Sequence, residues 1–370
     1  MATAHVVGWG KYIPERVVTN DDLSHIVDTS DEWIQTRTGI AQRRLAADGQ
    51  STSDMAVQAA HRALEVAGFR PALVELIIVA TVTPDMPFPS AACLVQDAIG
   101  ATHAAAFDLS AGCTGFIYAL SVATDMIGAG GYSNALVIGA ETLSRFTDWT
   151  DRETCVLFGD GAGAVFLQAK DLDGGVLASV LGSDGSGADL LAVQAGGSKL
   201  PASEQTLADR MHFITMRGRE VFRFAVGAMP RATRDVLEKA HLNLDDVDLI
   251  IPHQANQRII DAAARSLGVS TEKLYSNLEW YGNTSAASIP IALCEAVEQG
   301  LIQRDNLVVC VGFGAGLTWG ATAIRWTVRA PSAPLSDWET LLYGVQYRYA
   351  SFRSRLLRAL RAITAWWTKE

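Results

Sequence analysis

Four short apolar runs, residues 76–80, 135–140, 249–251 and 307–311, are rich in β-branched residues and bounded by polar or glycine positions. Polar residues do not alternate within them, so each predicts a strand buried on both faces. Between the runs, apolar residues recur every three or four positions over 55–67, 91–99, 116–127, 228–240 and 258–267, which predicts helices. Strand and helix follow one another in turn. That order predicts α/β layers with largely parallel sheets.

The pattern also echoes itself. "ALEVAGFRPALVELIIVA" (63–80) aligns without gaps on "VLEKAHLNLDDVDLIIPH" (236–253), and "ALVIGAE" (135–141) returns as "LVVCVGF" (307–313) at nearly the same separation. Two matches in the same order predict a duplicated fold. The expected boundaries are a first half over 1–172, a second over 173–328 and an extension over 329–370.

The extension differs in character. "APSAPLS" (330–336) reads as a linker, and Ser336 with Glu339 three residues on forms a capping-box pattern. Trp338, Leu342, Val345, Tyr349, Phe352, Leu356, Leu360, Ile363 and Trp366 then make a helical apolar stripe, with Gly344 as a point of interruption. Residues 331–370 hold six basic and three acidic side chains. A helix over 336–368 could pack on its own body or a dimer mate, lie on a membrane surface, or dock a partner.

Composition narrows the function classes. With 370 residues, 49% of them hydrophobic, the chain can bury substantial cores. No apolar stretch approaches the ~20 residues of a membrane helix. The opening "MATAHVVGWGKYIPERVV" lacks a basic region followed by a long apolar one, which points to a cytoplasmic address. A net charge of -10 disfavours nucleic acid as a partner. One cationic island stands out: Arg210, Arg217, Arg219, Arg223, Arg231 and Arg234, against Asp209, Glu220 and Asp235. It is either a solvated helical face or a docking site for an anionic partner. Five cysteines at 93, 113, 155, 294 and 310, without Cys-x-x-Cys spacing, fit neither a disulfide framework nor a structural zinc site.

Three positions carry candidate chemistry. In "FDLSAGCTGF" Cys113 stands where a strand ends and a helix begins. Unpaired amides and the helix dipole there favour a thiolate, and Gly112 and Gly115 leave room for a substrate. The alternative is a buried structural thiol, which is the reading given to Cys93, Cys294 and Cys310, with Cys155 undecided. In "LIIPHQANQR" His253 follows a buried strand, at the end of the strand where open α/β sheets bind ligands; a hydrogen-bonded structural histidine is the alternative. In "YGNTSAASIP" Asn283 sits in a glycine-asparagine turn before a helix, and by itself reads as a turn residue. "GDGAGA" (159–164) and "GFGAG" (312–316) run on into strand-like stretches, not helices, so neither reads as a nucleotide loop.

Taken together, "AGCTGF", "PHQANQRII" and "GNTSAAS" resemble the Cys-His-Asn set of the β-ketoacyl-acyl-carrier-protein synthase III family of the thiolase superfamily. "TSDEWIQTRTGI" (29–40), "FPSAAC" (88–93), "FGDGAGA" (158–164) and "GFGAGLTWG" (312–320) match it too, and the resemblance spans about 3–328. It implies the thiolase fold, two similar α/β halves in five layers αβαβα, and a homodimer. It implies a decarboxylating Claisen condensation between an acyl-CoA primer and malonyl on acyl carrier protein, with no cofactor and no metal. Cys113, His253 and Asn283 become the catalytic set, and the backbone amides of Cys113 and Ala315 the oxyanion hole. Trp33, Arg37 and Arg152 become coenzyme A contacts, Phe88 a primer-pocket residue reaching across the dimer, and Arg223, Arg258 and Arg265 carrier-protein contacts. Ala315 departs from the glycine common in the family, and the helix after 330 is an addition to it. A secondary-metabolite acyltransferase with the same triad, a cysteine acyl-thioester hydrolase and a non-catalytic scaffold are the competing readings.

Overall fold

The computed structural model describes residues 2–328 and, beyond them, the helical and exposed Val345, Phe352, Arg353, Leu356, Leu357 and Leu360. The predicted helix over 336–368 otherwise lies outside the described residues.

Two sheets form the framework. Strands β1 (Thr3–Tyr12), β2 (Leu76–Ala80), β3 (Ala105–Leu109), β4 (Asn134–Glu141) and β5 (Gly161–Lys170) make the first, in the order β1-β5-β4-β2-β3. Strands β6 (Gly175–Ser183), β7 (Leu249–Pro252), β8 (Leu307–Gly314) and β9 (Thr318–Arg325) make the second, in the order β7-β8-β9-β6. Read from β1 and from β6, the orders β1-β5-β4-β2 and β6-β9-β8-β7 are the same walk. Each goes through two antiparallel pairings and then a parallel one. The internal echo therefore reports real equivalence: 76–80 falls on β2 and 249–252 on β7, and 135–141 on β4 and 307–313 on β8. The expectation of largely parallel sheets is corrected. Only β2–β3, β2–β4 and β7–β8 are parallel. The three-residue link between β8 and β9 is too short for a crossover, which a parallel pair would need.

Seven helices complete the layers: α1 (Asp31–Thr38), α2 (Thr52–Ala67), α3 (Ala91–Ile99), α4 (Gly115–Gly128), α5 (Gly218–Lys239), α6 (Gln257–Leu267) and α7 (Ser288–Glu298). The strands show why α4 and α7 lie between the sheets. On β2, Leu76, Ile78 and Ala80 pack into the central cluster with α4 and α7, while Ile77 and Val79 face α2 and α3. On β7, Leu249 and Ile251 face the centre and Ile250 faces α5 and α6. Alternate side chains thus enter different apolar layers, which is why these runs contain no polar position. Helix α7 is buried on every side from Ser288 to Val297. The result is αβαβα.

Helix α5 begins ten residues before the predicted 228. Its first turns carry few core residues, because Arg219, Phe222, Arg223 and Val226 line a surface cavity instead. The apolar stripe is faint where the helix does other work. Cys93 is exposed on α3, against the expectation of a buried thiol, while Cys155, Cys294 and Cys310 are buried.

Candidate active site

Strand β3 delivers the chain to a single turn, Gly112–Thr114, from which α4 starts. Gly112 has φ 56°, and a Cβ there would lie 3.1 Å from the Ala315 amide nitrogen. A Cβ on Gly314 would lie 2.7 Å from the Cys113 nitrogen. Both glycines are needed to bring the 312–316 loop against the Cys113 turn. Thr318 Oγ1 holds the two together, within 3.2 Å of Ala111 O, 3.0 Å of Ala315 O and 2.7 Å of Thr114 Oγ1.

Cys113 is 7% exposed. Burial pushes its thiol up to about 12, against a smaller opposite effect of the Ser285 side chain hydrogen-bonded to it, and the nearby Glu141 carboxylate pushes in the same direction as burial. The position at a helix start is as expected, and burial works against the effect of the helix dipole there. The more burial favours the thiol, the more its proton needs an acceptor.

His253 continues β7, its amide donating to Val311 O at 2.8 Å, and its ring meets the Phe313 ring edge to face at 5.3 Å. Burial lowers its pKa to about 3, so the imidazole is neutral. Its Nδ1 lies 2.6 Å from Ser288 Oγ. The Gln254 amide donates to that same oxygen at 3.4 Å. With the serine hydroxyl donating to Nδ1, one of the two tautomers this contact allows, the ring proton sits on Nε2. Asn283 is fixed by backbone bonds, its amide donating to Leu157 O and its carbonyl accepting from the Gly159 amide. Its Oδ1 accepts from the Ser285 amide at 2.8 Å, which leaves the side-chain NH2 free to donate. His253 and Asn283 are thus two neutral donors.

The three residues share one lining. A neck of about 80 Å³ is lined by Cys113, His253, Asn283, Phe313 and Gly314 among others. Outward, through Met216, Phe222 and Asn256, it opens into a cavity of about 1150 Å³ containing Trp33, Arg37, Arg152, Arg219, Arg223 and Arg258. On another side, past Cys113 and Phe158, it meets an apolar chamber of about 320 Å³ with Leu143, Phe146 and Ile214 in its walls.

At the mouth, Ser30 caps α1 by accepting from the Trp33 amide, and Trp33 and Arg37 fall one turn apart. The guanidinium carbons of Arg37 and Arg152 lie 4.8 and 4.9 Å from the Trp33 ring centre. Of the cationic island, Arg210 pairs with Asp148, Arg217 with Asp189, and Arg231 stacks on Trp319. Among the described residues Arg219, Arg223 and Arg258 make no ion pair; Arg265 is exposed on α6 away from the cavities, and Phe88 is 85% exposed on the loop between β2 and α3. No described group of three or more His, Cys, Asp or Glu side chains is placed to hold a metal ion.

Three residues adjoining the site were not singled out in the sequence: Ser285, Ser288 and Glu141. The first two belong to "GNTSAAS", where only Asn283 drew notice. Glu141 ends an apolar strand whose echo has Phe313 at that place, so a lone acid in an apolar correspondence was the available signal.

Two equivalent α/β halves that bring a cysteine, a histidine and an asparagine to one buried neck define a condensing enzyme of the thiolase type. Residues 107–185 match the family model described as 3-oxoacyl-[acyl-carrier-protein (ACP)] synthase III, and 237–326 match its C-terminal counterpart. The β-ketoacyl-[acyl-carrier-protein] synthase III of Symbiobacterium thermophilum is 56% identical over 87% of this chain and 97% of its own length. That of Caldanaerobacter subterraneus is 54% identical over 88% and 98%. The crystal structure of 3-oxoacyl-[acyl-carrier-protein] synthase III from Aquifex aeolicus, 48% identical, superposes with a TM-score of 0.82 over 87% of this chain and all of its own. The chain belongs to the β-ketoacyl-acyl-carrier-protein synthase III family.

Proposed function

We propose that the protein condenses a short acyl-CoA primer with malonyl-acyl carrier protein, releasing CO₂ and giving a 3-oxoacyl-acyl carrier protein, the step that initiates fatty acid synthesis. The observation that carries this reading is the shared neck, lined by a thiol and two neutral donors, with an arginine-rich mouth and an apolar chamber adjoining it.

Cys113 attacks the primer thioester and keeps the acyl group as coenzyme A leaves, so two carrier-bound substrates react in two steps. The amides of Cys113 and Ala315 stabilise the oxyanion at that carbon. The malonyl group then loses CO₂, and its enolate oxygen takes hydrogen bonds from His253 Nε2 and the Asn283 amide. None of these steps calls for a metal or an organic cofactor.

At the mouth, Trp33 and Arg152 hold the adenine and Arg37 the phosphates of coenzyme A. An adenine on the Trp33 ring takes the place of a guanidinium, since two already lie against it. Phe88 reaches into the chamber of a second copy in a homodimer; its exposure on an apolar loop with Met86 supports this. The division into 1–172, 173–328 and 329–370 and a cytoplasmic location belong to the same reading. No described helix is long and apolar enough to cross a membrane.

The decisive experiment is incubation with a mixture of acyl-CoAs followed by mass spectrometry of the Cys113 peptide. A short acyl group on Cys113, discharged by malonyl-acyl carrier protein, is the expected result; acylation by long chains only would overturn the primer role.

Arg223, Arg258 and Arg265 receive the acidic carrier protein. Charge reversal of Arg223 and Arg258 to glutamate is expected to raise KM for malonyl-acyl carrier protein about 10-fold and to flatten its dependence on ionic strength, as for charges that steer encounter. Steady-state kinetics between low and moderate salt check this.

A further inference from the structure

Glu141, the last residue of β4, has no part in the steps above, yet it is fully buried behind the nucleophile. Its Oε2 accepts from Thr83 Oγ1 at 2.6 Å, from Thr81 Oγ1 at 3.1 Å and from the Val82 amide at 3.1 Å. Its Oε1 accepts from Ser285 Oγ at 3.1 Å. Ser285 also lines the apolar chamber together with Cys113, where its hydroxyl favours the thiolate, and its own φ of 50° is unusual for a residue with a side chain. That backbone lets one residue fix the Asn283 amide through its N–H and bridge Cys113 to Glu141 through its hydroxyl. The titratable group facing Glu141 is Cys113. Its other partners, from the loop after β2 and from the 285 turn, are hydroxyls and an amide, with no basic side chain among them.

We propose that Ser285 and Glu141 form a proton relay behind Cys113, in which Glu141 stores the thiol proton for as long as the acyl group occupies the sulfur. The proposal rests on the acyl-transfer reading above. In the first step the sulfur lone pair bonds the thioester carbon, the thiol proton passes to Ser285 Oγ, and the serine proton passes to Glu141 Oε1. The bond to coenzyme A breaks, and its thiolate leaves and takes a proton from solvent. In the second step the enolate carbon bonds the acyl carbon, the bond to Cys113 breaks, and the departing cysteine thiolate recovers its proton through Ser285. Atoms and charge balance over the cycle, with one proton drawn from water. Ser285 touches the reacting sulfur; Glu141 acts through it. Burial pushes the Glu141 carboxyl up to about 7, where it can both take and return a proton near neutrality.

The test uses a probe that does not depend on the substrate. Alkylation of Cys113 by iodoacetamide is followed by peptide mass spectrometry across pH 5 to 9 in the native protein, in Glu141→Gln and in Ser285→Ala. The native rate is expected to rise through a limb near 7, the value at which Glu141 becomes a base. Both variants should lose the limb and react about 10-fold or more slowly above it. Alkylation of Glu141→Gln as fast as native or faster, the outcome if the carboxylate only repels a thiolate, overturns the relay. The serine variant keeps the test open should the buried glutamine not fold. A limb that both variants lose, with no acyl adduct from any acyl-CoA, upholds the proton path from Cys113 to Glu141 while sinking the acyl-transfer reading.

Discussion

Cys113→Ala is expected to eliminate the acyl adduct and to lower condensation by about 10⁴-fold, while decarboxylation of malonyl-acyl carrier protein persists. On the proposed mechanism, removing the sulfur abolishes the covalent half of the cycle, because no second thiol or hydroxyl side chain is among the described residues lining the neck. The donors proposed for the enolate are held independently of the sulfur: His253 is set by Ser288, and Asn283 by the Ser285 amide. The decarboxylation rate, read as released CO₂, separates the two functions. Loss of CO₂ release along with condensation would mean that the acyl-enzyme, not the pair of donors, creates the malonyl site. The substitution is structurally mild. Alanine fits the turn, and the buried thiol donates to no residue outside this cluster.

Much of the fold was readable in advance, and its physical basis shows which parts could be. The strands were legible because burial on both faces forbids polar residues, and β2 and β7 obey this at every position. Cys113 stood out as a candidate because a cysteine between glycines at a strand-to-helix turn has few purposes, and Gly112 and Gly314 prove to be places where a Cβ would crowd the other half of the site. The ionisation of Cys113 was not legible. A sequence shows the helix start that favours the thiolate but not the depth of burial that opposes it, which depends on α7 and the 312–316 loop arriving from the second half. Ser285, Ser288 and Glu141 escaped for a related reason. Their roles consist of hydrogen bonds across 35 to 144 residues of chain, and nothing local marks a serine as the partner of an imidazole. The paired members of the cationic island were equally hidden: Asp148 and Asp189, which neutralise Arg210 and Arg217, lie far from them in sequence.

His253→Ala and Asn283→Asp should each leave acylation of Cys113 within a few-fold of native while lowering condensation by about 10²- to 10³-fold, the usual loss when a preorganised donor to a developing oxyanion is removed. The aspartate is the sharper test of the two. Its Oδ1 still accepts from the Ser285 amide, so the turn is preserved, but a carboxylate oxygen replaces the donor NH2 and repels the enolate. For His253 the claim is that the neutral ring donates, and pH decides it. With a pKa lowered to about 3, the imidazole carries no charge across pH 5 to 9, so CO₂ release should show no limb near 6.5. A limb there, lost in the alanine variant, would make the working form the imidazolium. The same burial has a consequence for stability. The unfolded chain protonates this ring near 6.5 and the folded chain does not until about 3, so the folded form binds fewer protons between those values and loses stability as pH falls through them. Glu141 acts in the opposite sense, its raised pKa costing stability as pH rises from about 4.5 to about 7. Thermal melts of native and His253→Gln proteins from pH 7 down to 4 should therefore diverge, the native midpoint falling more steeply because only it carries the buried ring.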